Sequence, residues 1–282
     1  MERVLATIAV GFHTDNVRAR QMSSAVVHWL EEHGRRAVVV ETRKEETCCQ
    51  APWEEVDLLL TLGGDGTMLG FARRVVDREV PMLGLNVGEV GFLTELTLAD
   101  WQDRLPAILA GEYAFSLRMV LSCSVLRCGQ LAHRGYAVND VVIGCGGLAR
   151  MIRLDVWYGE DHLGGVRADG LIVATPTGSS GYSISAGGPL VYPELDVFVL
   201  TPICPFLHAF RPMVLPLEEQ IRVHVQEART PTVLTQDGQV GVDLQPGDNI
   251  LVSKASHRLR LVRPLQSHYA SKLKSKGFLR GN

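Results

Sequence analysis

The sequence predicts an α/β domain with a parallel, Rossmann-like sheet, followed by a β-rich, antiparallel domain. Three observations support this prediction. Residues 4–111 alternate apolar runs with amphipathic helical patterns, which is typical of parallel strands joined by right-handed helical crossovers. From residue 113 onward, short β-branched stretches are separated by glycine and proline, with few helical patterns between them. The 282 residues are 46% hydrophobic, enough for two domains of ordinary size.

The same patterns predict where the domains begin and end. Residues 1–111 are assigned to the α/β domain and residues 112–264 to the β-rich domain. The tail, residues 265–282, contains a short helical pattern at Tyr269–Lys276, and we expect it to return to the first domain. The sequence shows no internal repeat and no disordered linker.

The elements of the first domain follow from apolar runs and helical spacing. Val56–Leu62 is nearly all apolar, as expected for a strand that is buried on both faces. A helix is predicted where apolar residues recur at helical spacing before a glycine, as in residues 15–33 before Gly34. In chain order, the predicted elements are strand Val4–Val10, helix 15–33, strands Ala37–Val40 and Val56–Leu62, a helix with Leu69, Ala72, Val75 and Val76 inward, strand Val80–Asn86, and helix Leu98–Ala110.

The second domain is predicted as a series of short strands. Its apolar stretches are rich in valine, isoleucine and leucine and are bounded by turn-forming residues, which is typical of antiparallel sheets. The predicted strands are Met119–Val125, Ala137–Ile143, Met151–Trp157, Gly170–Ala174, Val197–Leu200, Ile221–Val225 and Asn249–Val252.

Charge and cysteine content argue against several classes of protein. A net charge of −3 and a pI near 6.3 disfavour a general binder of nucleic acid or anionic membranes, and no apolar run reaches the roughly 18 residues of a membrane helix.

The six cysteines include no CxxC pair, so we interpret them as reduced thiols. The apolar segment Val4–Phe12 lacks a small-residue cleavage site and fits a first strand better than a signal peptide. We therefore expect a cytoplasmic protein.

The strongest chemical signal is Gly63-Gly64-Asp65-Gly66-Thr67, which lies between a buried strand and a predicted helix. Ligands bind α/β sheets at this end of the strands. The glycines remove Cβ atoms, so that backbone amides can approach a phosphate or a sugar closely. The first amides of a helix also favour an anion. The motif therefore predicts a phosphate-binding turn.

Asp65 is the unexpected member of this turn, because a carboxylate repels a phosphate. A carboxylate is suited instead to orient a hydroxyl group and accept its proton during attack on phosphorus. We therefore predict that Asp65 is the catalytic residue. The alternative is a tight strand–helix turn in which Asp65 is only the N-cap of the helix, but such a turn needs fewer glycines.

Two familiar nucleotide-binding motifs do not fit this chain. The sequence has no GxxxxGK[ST] and therefore no P-loop. A GxGxxA match occurs at Gly144–Ala149, but the next segment, Met151–Trp157, is predicted as a strand rather than a helix. A hairpin turn explains the match better than a dinucleotide-binding turn, which removes the main support for a dehydrogenase.

Two further segments carry polar groups that suit a nucleotide. Asn139 and Asp140 interrupt the predicted strand Ala137–Ile143, and an amide beside a carboxylate can donate to and accept from a ribose diol. A polar pair on the wet face of a strand or at a bulge is the alternative. Residues Thr175–Pro189 are small and hydroxyl-rich, which suits a loop around an adenine or a sugar. Within this loop, Tyr182 could stack on a base.

Taken in order along the chain, these motifs resemble those of the NAD kinases. The Gly-Gly-Asp-Gly element alone is also similar to lipid kinases and phosphofructokinases, whereas the long Thr-Pro-Thr-Gly-Ser segment resembles NAD kinases specifically. The resemblance spans most of the chain and rests on Gly63–Thr67, Leu85–Gly88, Gly91–Thr94, Asn139-Asp140, Arg167–Gly170, Thr175–Pro189, Thr201–Pro205 and Asp237–Gln239.

The resemblance implies a set of substrate-binding residues. It implies that Asn139 and Asp140 bind the substrate ribose and that Asp169 contacts the amide end of the dinucleotide. Two arginines are implied near the nucleotide, where their planar donors suit phosphate. Asp65 is the catalytic residue, and no side chain is predicted as a metal ligand. The implied substrate-binding residues are Gly63, Gly64, Gly66, Thr67, Phe92, Asn139, Asp140, Arg150, Arg167, Asp169, Thr177, Ser180, Gly181, Tyr182, Ser185, Cys204 and Gln239.

The chain departs from the family pattern at three points. Asp140 stands where the family usually has glutamate, which keeps the carboxylate on a shorter side chain. Ser180-Gly181 stands where threonine-alanine is common, which keeps the hydroxyl group and the small residue. Phe206 stands where the family often has histidine, so a contact made by that histidine is not carried over to this chain.

The resemblance also implies the activity and the partners. An NAD kinase transfers the γ-phosphoryl group of ATP to the 2′-hydroxyl of the adenosine ribose of NAD, giving NADP, and polyphosphate as the donor stays open. It implies Mg²⁺, or another divalent cation, held mainly by the nucleotide phosphates. It further implies a homodimer or homotetramer in which Asp169 and Cys204 reach the ligand of an adjacent chain.

Two other classes of protein stay open. A lipid kinase would share Gly-Gly-Asp-Gly and a β-rich second domain, but it should carry an apolar or basic surface that faces the membrane. A non-catalytic dinucleotide sensor would keep Asn139 and the Thr-Pro-Thr-Gly loop, but it would not need Asp65.

Overall fold

The computed structural model describes residues 5–43, 51–88, 91–147, 151–206, 210–227 and 231–279. The chain divides into two compact units. The first unit combines Met1–Leu117 with Leu259–Asn282, and the second is Arg118–Arg258. Each unit has its own hydrophobic core, so each is described separately.

The elements are numbered in chain order within the described residues. The helices are α1 (Val17–Glu32), α2 (Asp65–Val75), α3 (Trp101–Leu109), α4 (Tyr182–Ser185) and α5 (Tyr269–Ser275), with 3₁₀ turns at Trp53–Glu55, Val76–Arg78 and Gly178–Ser180. The strands are β1 (Thr7–His13), β2 (Arg36–Thr42), β3 (Leu58–Leu62), β4 (Met82–Asn86), β5 (Leu96–Thr97), β6 (Tyr113–Arg118), β7 (Leu121–Arg127), β8 (Gln130–Ala137), β9 (Asp140–Cys145), β10 (Ile152–Tyr158), β11 (Asp161–Ala168), β12 (Gly170–Ala174), β13 (Phe198–Ile203), β14 (Met213–Leu215), β15 (Ile221–Glu227), β16 (Thr232–Gln236), β17 (Val240–Leu244), β18 (Asn249–Lys254) and β19 (Leu259–Pro264).

The first unit is built on a seven-stranded sheet in the order β2-β1-β3-β4-β19-β6, with β5 paired to β4. β1 runs parallel to β2 and β3, and β4 runs parallel to β3, β5 and β19. β3 and β4 are buried along their whole length, because parallel strands are covered on both faces. Leu62 pairs with Leu85, so the carboxyl ends of β3 and β4 meet at one edge of the sheet.

The second unit contains two six-stranded sheets, β11-β10-β15-β18-β7-β8 and β14-β13-β12-β9-β16-β17. Their neighbouring strands are antiparallel. Strands such as β7 and β16 alternate buried and partly exposed residues, which is the pattern of a sheet with one covered face. Buried side chains of both sheets form a single core, so the sheets pack face to face.

The predicted fold class is confirmed, with a parallel N-terminal sheet and an antiparallel β-rich region. The ends of the β-rich region differ from the prediction, because β6 and β19 pair within the first sheet although residues 112–264 were assigned to the second domain. A strand's own composition does not show which sheet it joins, because pairing is decided by packing against distant partners.

Two local predictions in the second unit are wrong. The predicted strand Ala137–Ile143 is interrupted, since β8 ends at Ala137 and β9 begins at Asp140. The Gly144 segment is not a hairpin turn, because β9 and β10 belong to different sheets.

Candidate active site

The glycine turn of the first unit joins β3 to α2, at the carboxyl end of the sheet. A Cβ at Gly63 would collide with the side chain of Thr67, so this position requires glycine for internal packing. A Cβ at Gly64 would meet open space among the described residues, so no contact with them explains that glycine. Gly64 is the N-cap of α2, where helix amides suit an anion. The turn is thus open to close approach by a ligand.

The Asp65 carboxylate is fixed by the backbone that follows β4. Oδ2 accepts a hydrogen bond of 2.7 Å from the Phe92 amide, and Oδ1 accepts one of 2.9 Å from the Leu93 amide. A Cβ at Gly91 would collide with this carboxylate. Asp65 therefore does not cap its own helix, as the alternative interpretation required, and the half-buried carboxylate keeps lone pairs for a further donor.

The segment that holds Asp65 is itself closed by side-chain bonds from the end of β4. Asn86 Nδ2 donates to Thr94 Oγ1 at 3.2 Å, and the Gly91 amide donates to the same oxygen at 3.3 Å. The Gly88 amide donates to Asn86 Oδ1 at 2.7 Å. These bonds link the motifs Leu85–Gly88 and Gly91–Thr94. Both motifs thus help to present the Phe92 and Leu93 amides to Asp65.

In the second unit, Asn139 lies immediately before β9 and is held by Asp237. The Asp237 carboxylate accepts backbone hydrogen bonds from Val138 (3.1 Å), Asn139 (2.7 Å) and Asp140 (3.2 Å). Asp237 and Gly238 have φ angles of 51° and 63°, and they form the turn between β16 and β17. Asp237 belongs to one of the motifs that resemble the NAD kinases, but the predicted site residues do not include it.

The loop after β12 packs directly on Asn139. The Thr175 amide donates to the Asn139 carbonyl at 2.8 Å, and Thr175 Oγ1 donates to the Val138 carbonyl at 2.6 Å. A Cβ at Gly178 would collide with the backbone of Asn139, so glycine is required there by close approach. The structure therefore brings together the two polar segments of the second unit that the sequence singled out.

Hydroxyl groups in this loop divide into two kinds. Ser179 Oγ bonds the Pro176 carbonyl at 2.7 Å, and Ser183 Oγ bonds Thr201 Oγ1 at 2.9 Å, so both hold the loop to its own unit. The Thr177 hydroxyl is buried and has no hydrogen-bond partner among the residues that the structure describes. Tyr182 exposes half of its surface. An unpaired buried hydroxyl is costly, which points to a ligand as the missing partner.

Asp140 is a buried carboxyl group beside a second one. Burial, together with the nearby Asp237 carboxylate, raises the pKa of Asp140 to about 7. Desolvation and a neighbouring negative charge both disfavour the ionised form. Near neutral pH the Asp140 carboxyl is therefore able to donate as well as accept a hydrogen bond, as a diol requires.

A third group lies at the far end of β12. Asp169 precedes this strand, and its amide donates to the Ile203 carbonyl at 2.9 Å. Cys204 follows Ile203, and the Arg167 guanidinium lies 4.8 Å from the centre of the Phe206 ring. Thr175 follows the opposite end of β12, six residues after Asp169, or about 20 Å at the usual rise per strand residue. The second unit thus carries two separate groups of predicted residues.

Comparison with known proteins identifies the family. The model of the ATP-NAD kinase N-terminal domain matches residues 11–113, and that of the C-terminal domain matches residues 138–264. This chain belongs to the NAD kinase family. It is therefore an enzyme that transfers phosphoryl groups, as the motifs predicted.

Individual NAD kinases match nearly the whole chain. One from Nitratidesulfovibrio vulgaris (strain Miyazaki F) is 44% identical over 280 residues, covering 99% of each chain, and one from Geotalea daltonii is 39% identical over 275 residues, covering 95% of this chain and 97% of its own. Two crystal structures are also similar. Yeast NADH kinase complexed with NADH has a TM-score of 0.86 at 23% identity, covering 100% of this chain and 89% of its own. An Archaeoglobus fulgidus NAD kinase in complex with ATP has a TM-score of 0.75 at 27% identity, covering 95% of this chain and 98% of its own.

The remaining predicted residues of this NAD kinase fall in several places. Gln239 is exposed in the turn beside Asp237, and Ser180 Oγ bonds the Thr177 carbonyl at 3.3 Å. Gly181 and Ser185 are exposed beside Tyr182. Arg150 lies outside the residues that the structure describes.

A cavity of about 510 Å³ opens elsewhere in the first unit of the NAD kinase. Leu5, Val56 and Pro81 line it, and each of these residues precedes a strand of the parallel sheet. The cavity therefore lies at the amino ends of the strands, opposite the Gly63 turn. Ligands bind such sheets at the carboxyl ends, so the candidate site is the Gly63 turn rather than this cavity.

The described part of this NAD kinase contains neither a metal-binding cluster nor a membrane-spanning helix. There, no three His, Cys, Asp or Glu side chains are grouped so as to hold a metal ion, and no helix has both the length and the apolar character needed to cross a membrane. The four described cysteines, Cys123, Cys128, Cys145 and Cys204, are free thiols.

Proposed function

We propose that this NAD kinase transfers the γ-phosphoryl group of ATP to the 2′-hydroxyl of the adenosine ribose of NAD, giving NADP and ADP. The observation that carries this proposal is the Asp65 carboxylate, which two backbone amides hold in place beside a glycine turn that is open to a ligand. A phosphate-binding turn alone would explain nucleotide binding. A fixed carboxylate within it adds a group that can accept a proton.

In the proposed reaction, Asp65 accepts a hydrogen bond from the ribose hydroxyl and takes its proton as the oxygen attacks the γ-phosphorus. A bond forms between the hydroxyl oxygen and the γ-phosphorus, and the bond from that phosphorus to the β,γ-bridging oxygen breaks. ADP leaves with the bridging oxygen. General base catalysis of this kind typically contributes 10²- to 10⁴-fold to the rate, and holding the hydroxyl in line contributes further.

Residues of the second unit are proposed to hold NAD. Asn139 and Asp140 would bind a ribose diol through one amide and one carboxyl group. The buried Thr177 hydroxyl, which has no partner in the described part of the chain, would pair with a polar atom of the dinucleotide. Tyr182, half exposed beside it, offers a ring face for a base. Each of these roles uses a group that the folded chain leaves available.

ATP is proposed as the phosphoryl donor. The similar Archaeoglobus NAD kinase is described in complex with ATP, at 27% identity over nearly the whole chain. The amide-rich start of α2 and the open position at Gly64 suit a polyanionic phosphate chain. Polyphosphate shares this chemistry, so the donor preference is an outcome of the assay below.

Mg²⁺ is proposed to be held mainly by the nucleotide phosphates. Mg²⁺ prefers oxygen ligands, keeps several waters and needs few protein groups. We assign no side chain to the ion, because the Asp65 carboxylate at the turn is proposed as the proton acceptor. When bound, the ion would neutralise charge on the transferred phosphoryl group.

A second copy of the chain is proposed to complete each site. Asp169 and Cys204 lie at one end of β12, whereas Asn139 and Thr177 lie at the other. Within one chain, the residue proposed for the amide end of NAD is therefore separated from those proposed for the ribose by the length of the strand. A closed two-fold interface would place the Asp169 end of one chain at the Asn139 end of its partner.

One assay tests the proposed reaction. Purified protein is incubated with NAD, MgCl₂ and either ATP or polyphosphate, and NADP is scored with an NADP-specific dehydrogenase. We expect NADP to accumulate with ATP. NAD binding without conversion would favour the dinucleotide sensor, and phosphorylation of diacylglycerol instead of NAD would favour the lipid kinase.

A further inference from the structure

The C-terminal helix α5 contacts the segment that holds Asp65. The Lys272 ammonium donates to the backbone carbonyl oxygens of Phe92 and Thr94, each at 3.0 Å, and to Glu95 Oε1 at 2.7 Å. These three bonds match the three donors of an ammonium group. The Lys272 and Glu95 side chains are only 15% and 10% exposed, so this is not an ordinary surface ion pair.

One peptide group connects Lys272 to Asp65. The Phe92 carbonyl oxygen accepts from Lys272 Nζ at 3.0 Å, and the Leu93 N–H of the same peptide group donates to Asp65 Oδ1 at 2.9 Å. Hydrogen bonds at the two ends of a peptide group polarise each other. The positive charge on Lys272 therefore strengthens the donor that fixes the Asp65 carboxylate.

Other contacts from the tail hold the same segment. Glu95 Oε2 accepts from Ser267 Oγ at 2.6 Å. The Phe92 ring lies 6.3 Å from the Tyr269 ring and 5.7 Å from the Phe278 ring, centre to centre. Removing one partner of a largely buried ion pair leaves the other charge uncompensated, so the segment depends on both Lys272 and Glu95.

We propose that Lys272, together with Glu95, is a positioning residue for Asp65, so that the C-terminal helix sets the orientation of the reacting carboxylate. The inference rests on the proposed role of Asp65. Lys272 acts through the peptide group between Phe92 and Leu93 and has no role in binding substrate. Its loss should therefore lower kcat without changing the KM for NAD or ATP.

The test compares Lys272→Met with Lys274→Met, a matched lysine that is exposed on the same helix. We expect Lys272→Met to lower kcat per folded enzyme by roughly 10- to 100-fold, the usual effect of misplacing a reacting group, with KM values unchanged. Lys274→Met should match the wild type. In an Asp65→Asn background, Lys272→Met should cause no further loss, because both changes act on one carboxylate.

Three outcomes would overturn the inference. They are an unchanged kcat in folded Lys272→Met, a loss of kcat that is fully additive with that of Asp65→Asn, or a loss of kcat/KM that comes from a higher KM. If Lys272→Met does not fold, Glu95→Gln keeps the size of the side chain and its bond to Ser267 while removing the charge. It should show a smaller loss of kcat, and an unchanged kcat in this variant would also overturn the inference.

Hydrogen exchange separates this inference from the proposed function. The Leu93 amide should exchange faster in Lys272→Met than in Lys274→Met, whatever reaction the protein catalyses. If the wild type forms no NADP but the two variants show this exchange difference, the proposed function is rejected and the positioning role is retained. Equal exchange in the two folded variants would reject the positioning role.

Discussion

The Asp237 carboxylate accepts a hydrogen bond of 2.7 Å from the backbone amide of Asn139, although the two residues are 98 positions apart in sequence. The amides of Val138 and Asp140 donate to the same carboxylate. The left-handed backbone at Asp237 and Gly238 turns the side chain towards these amides. The placement of Asn139 therefore depends on a turn in another part of the chain.

Asn139→Ala should weaken NAD binding without unfolding the protein. Removal of the side-chain amide would leave a polar partner on the ribose unpaired, which costs about 1–3 kcal/mol. Isothermal calorimetry with NAD measures the change, and circular dichroism confirms the fold. An unchanged affinity in the folded variant would remove Asn139 from the site.

Asp65→Asn should reduce kcat by roughly 10²-fold or more, because the amide cannot accept the hydroxyl proton. Both Asp65 oxygens accept backbone amides, so the asparagine NH₂ group would also face one donor and loosen segment 92–95. Stopped assays of NADP formation measure kcat, and calorimetry should show NAD affinity little changed. A variant with near wild-type turnover would exclude Asp65 as the base.

Thr177→Val should weaken NAD binding while leaving the protein without ligand equally stable or more stable. The Thr177 hydroxyl is buried with no described residue as its partner, so its removal relieves a desolvation cost of about 1–3 kcal/mol. Urea unfolding and calorimetry measure the two effects. Thr201→Val is the control, because it breaks the buried bond to Ser183 and should destabilise the fold. A destabilised Thr177→Val with normal NAD affinity would mean that the hydroxyl is structural.

Asp140 should make stability depend on pH. The pKa of Asp140 is raised from 3.8 to about 7 in the folded protein, so between these values the folded state keeps a proton that the unfolded chain releases. The free energy of unfolding therefore falls as pH rises from about 4 to 7, by an amount on the order of a few kcal/mol. The stability of Asp140→Asn relative to the wild type should rise over the same interval.

Urea titrations at pH 5 and pH 8 without NAD measure this difference. Asp243→Asn, at an exposed position on β17, controls for the general loss of a carboxylate. A constant difference between Asp140→Asn and the wild type at both pH values would show that Asp140 is ionised throughout this range.

Mixing two inactive variants should restore activity if neighbouring chains share sites. In a mixed dimer of Asp65→Asn and Asp169→Ala, one site would carry both defects and the other neither. With random exchange, half of the dimers are mixed and half of their sites are intact, so activity should return to about a quarter of wild type. No recovery despite demonstrated subunit exchange would mean that Asp169 serves the site of its own chain.

The sequence predicts those structural elements that are determined by residues close together in the chain. The buried strand β3, the glycines after it and the helix α2 are contiguous, so apolar periodicity and glycine content were sufficient to predict the turn. The Asn139 pair and the hydroxyl-rich loop were also visible as polar interruptions of apolar patterns. Their contact through Gly178 was not predictable, because it depends on the pairing of β9 with β12.

The parts that the sequence does not predict are held by distant side chains. Lys272 lies 180 residues from Phe92, and in sequence it is one of several lysines in a short polar helix. Asp237 was visible as part of a turn motif, but its role depends on three amides that folding brings to it. Strands β6 and β19 join the first sheet for the same reason, since their partners lie elsewhere in the chain.

We propose above that phosphoryl transfer is directed to the 2′-hydroxyl of the adenosine ribose. The most direct test is the ³¹P NMR spectrum of the product formed from NAD, ATP and MgCl₂, alongside an NAD analogue that lacks this hydroxyl. We predict a new phosphomonoester at C2′ with NAD and no transfer to the bound analogue. A phosphoryl group at any other position, or transfer to the analogue at the rate seen with NAD, would overturn the proposed reaction.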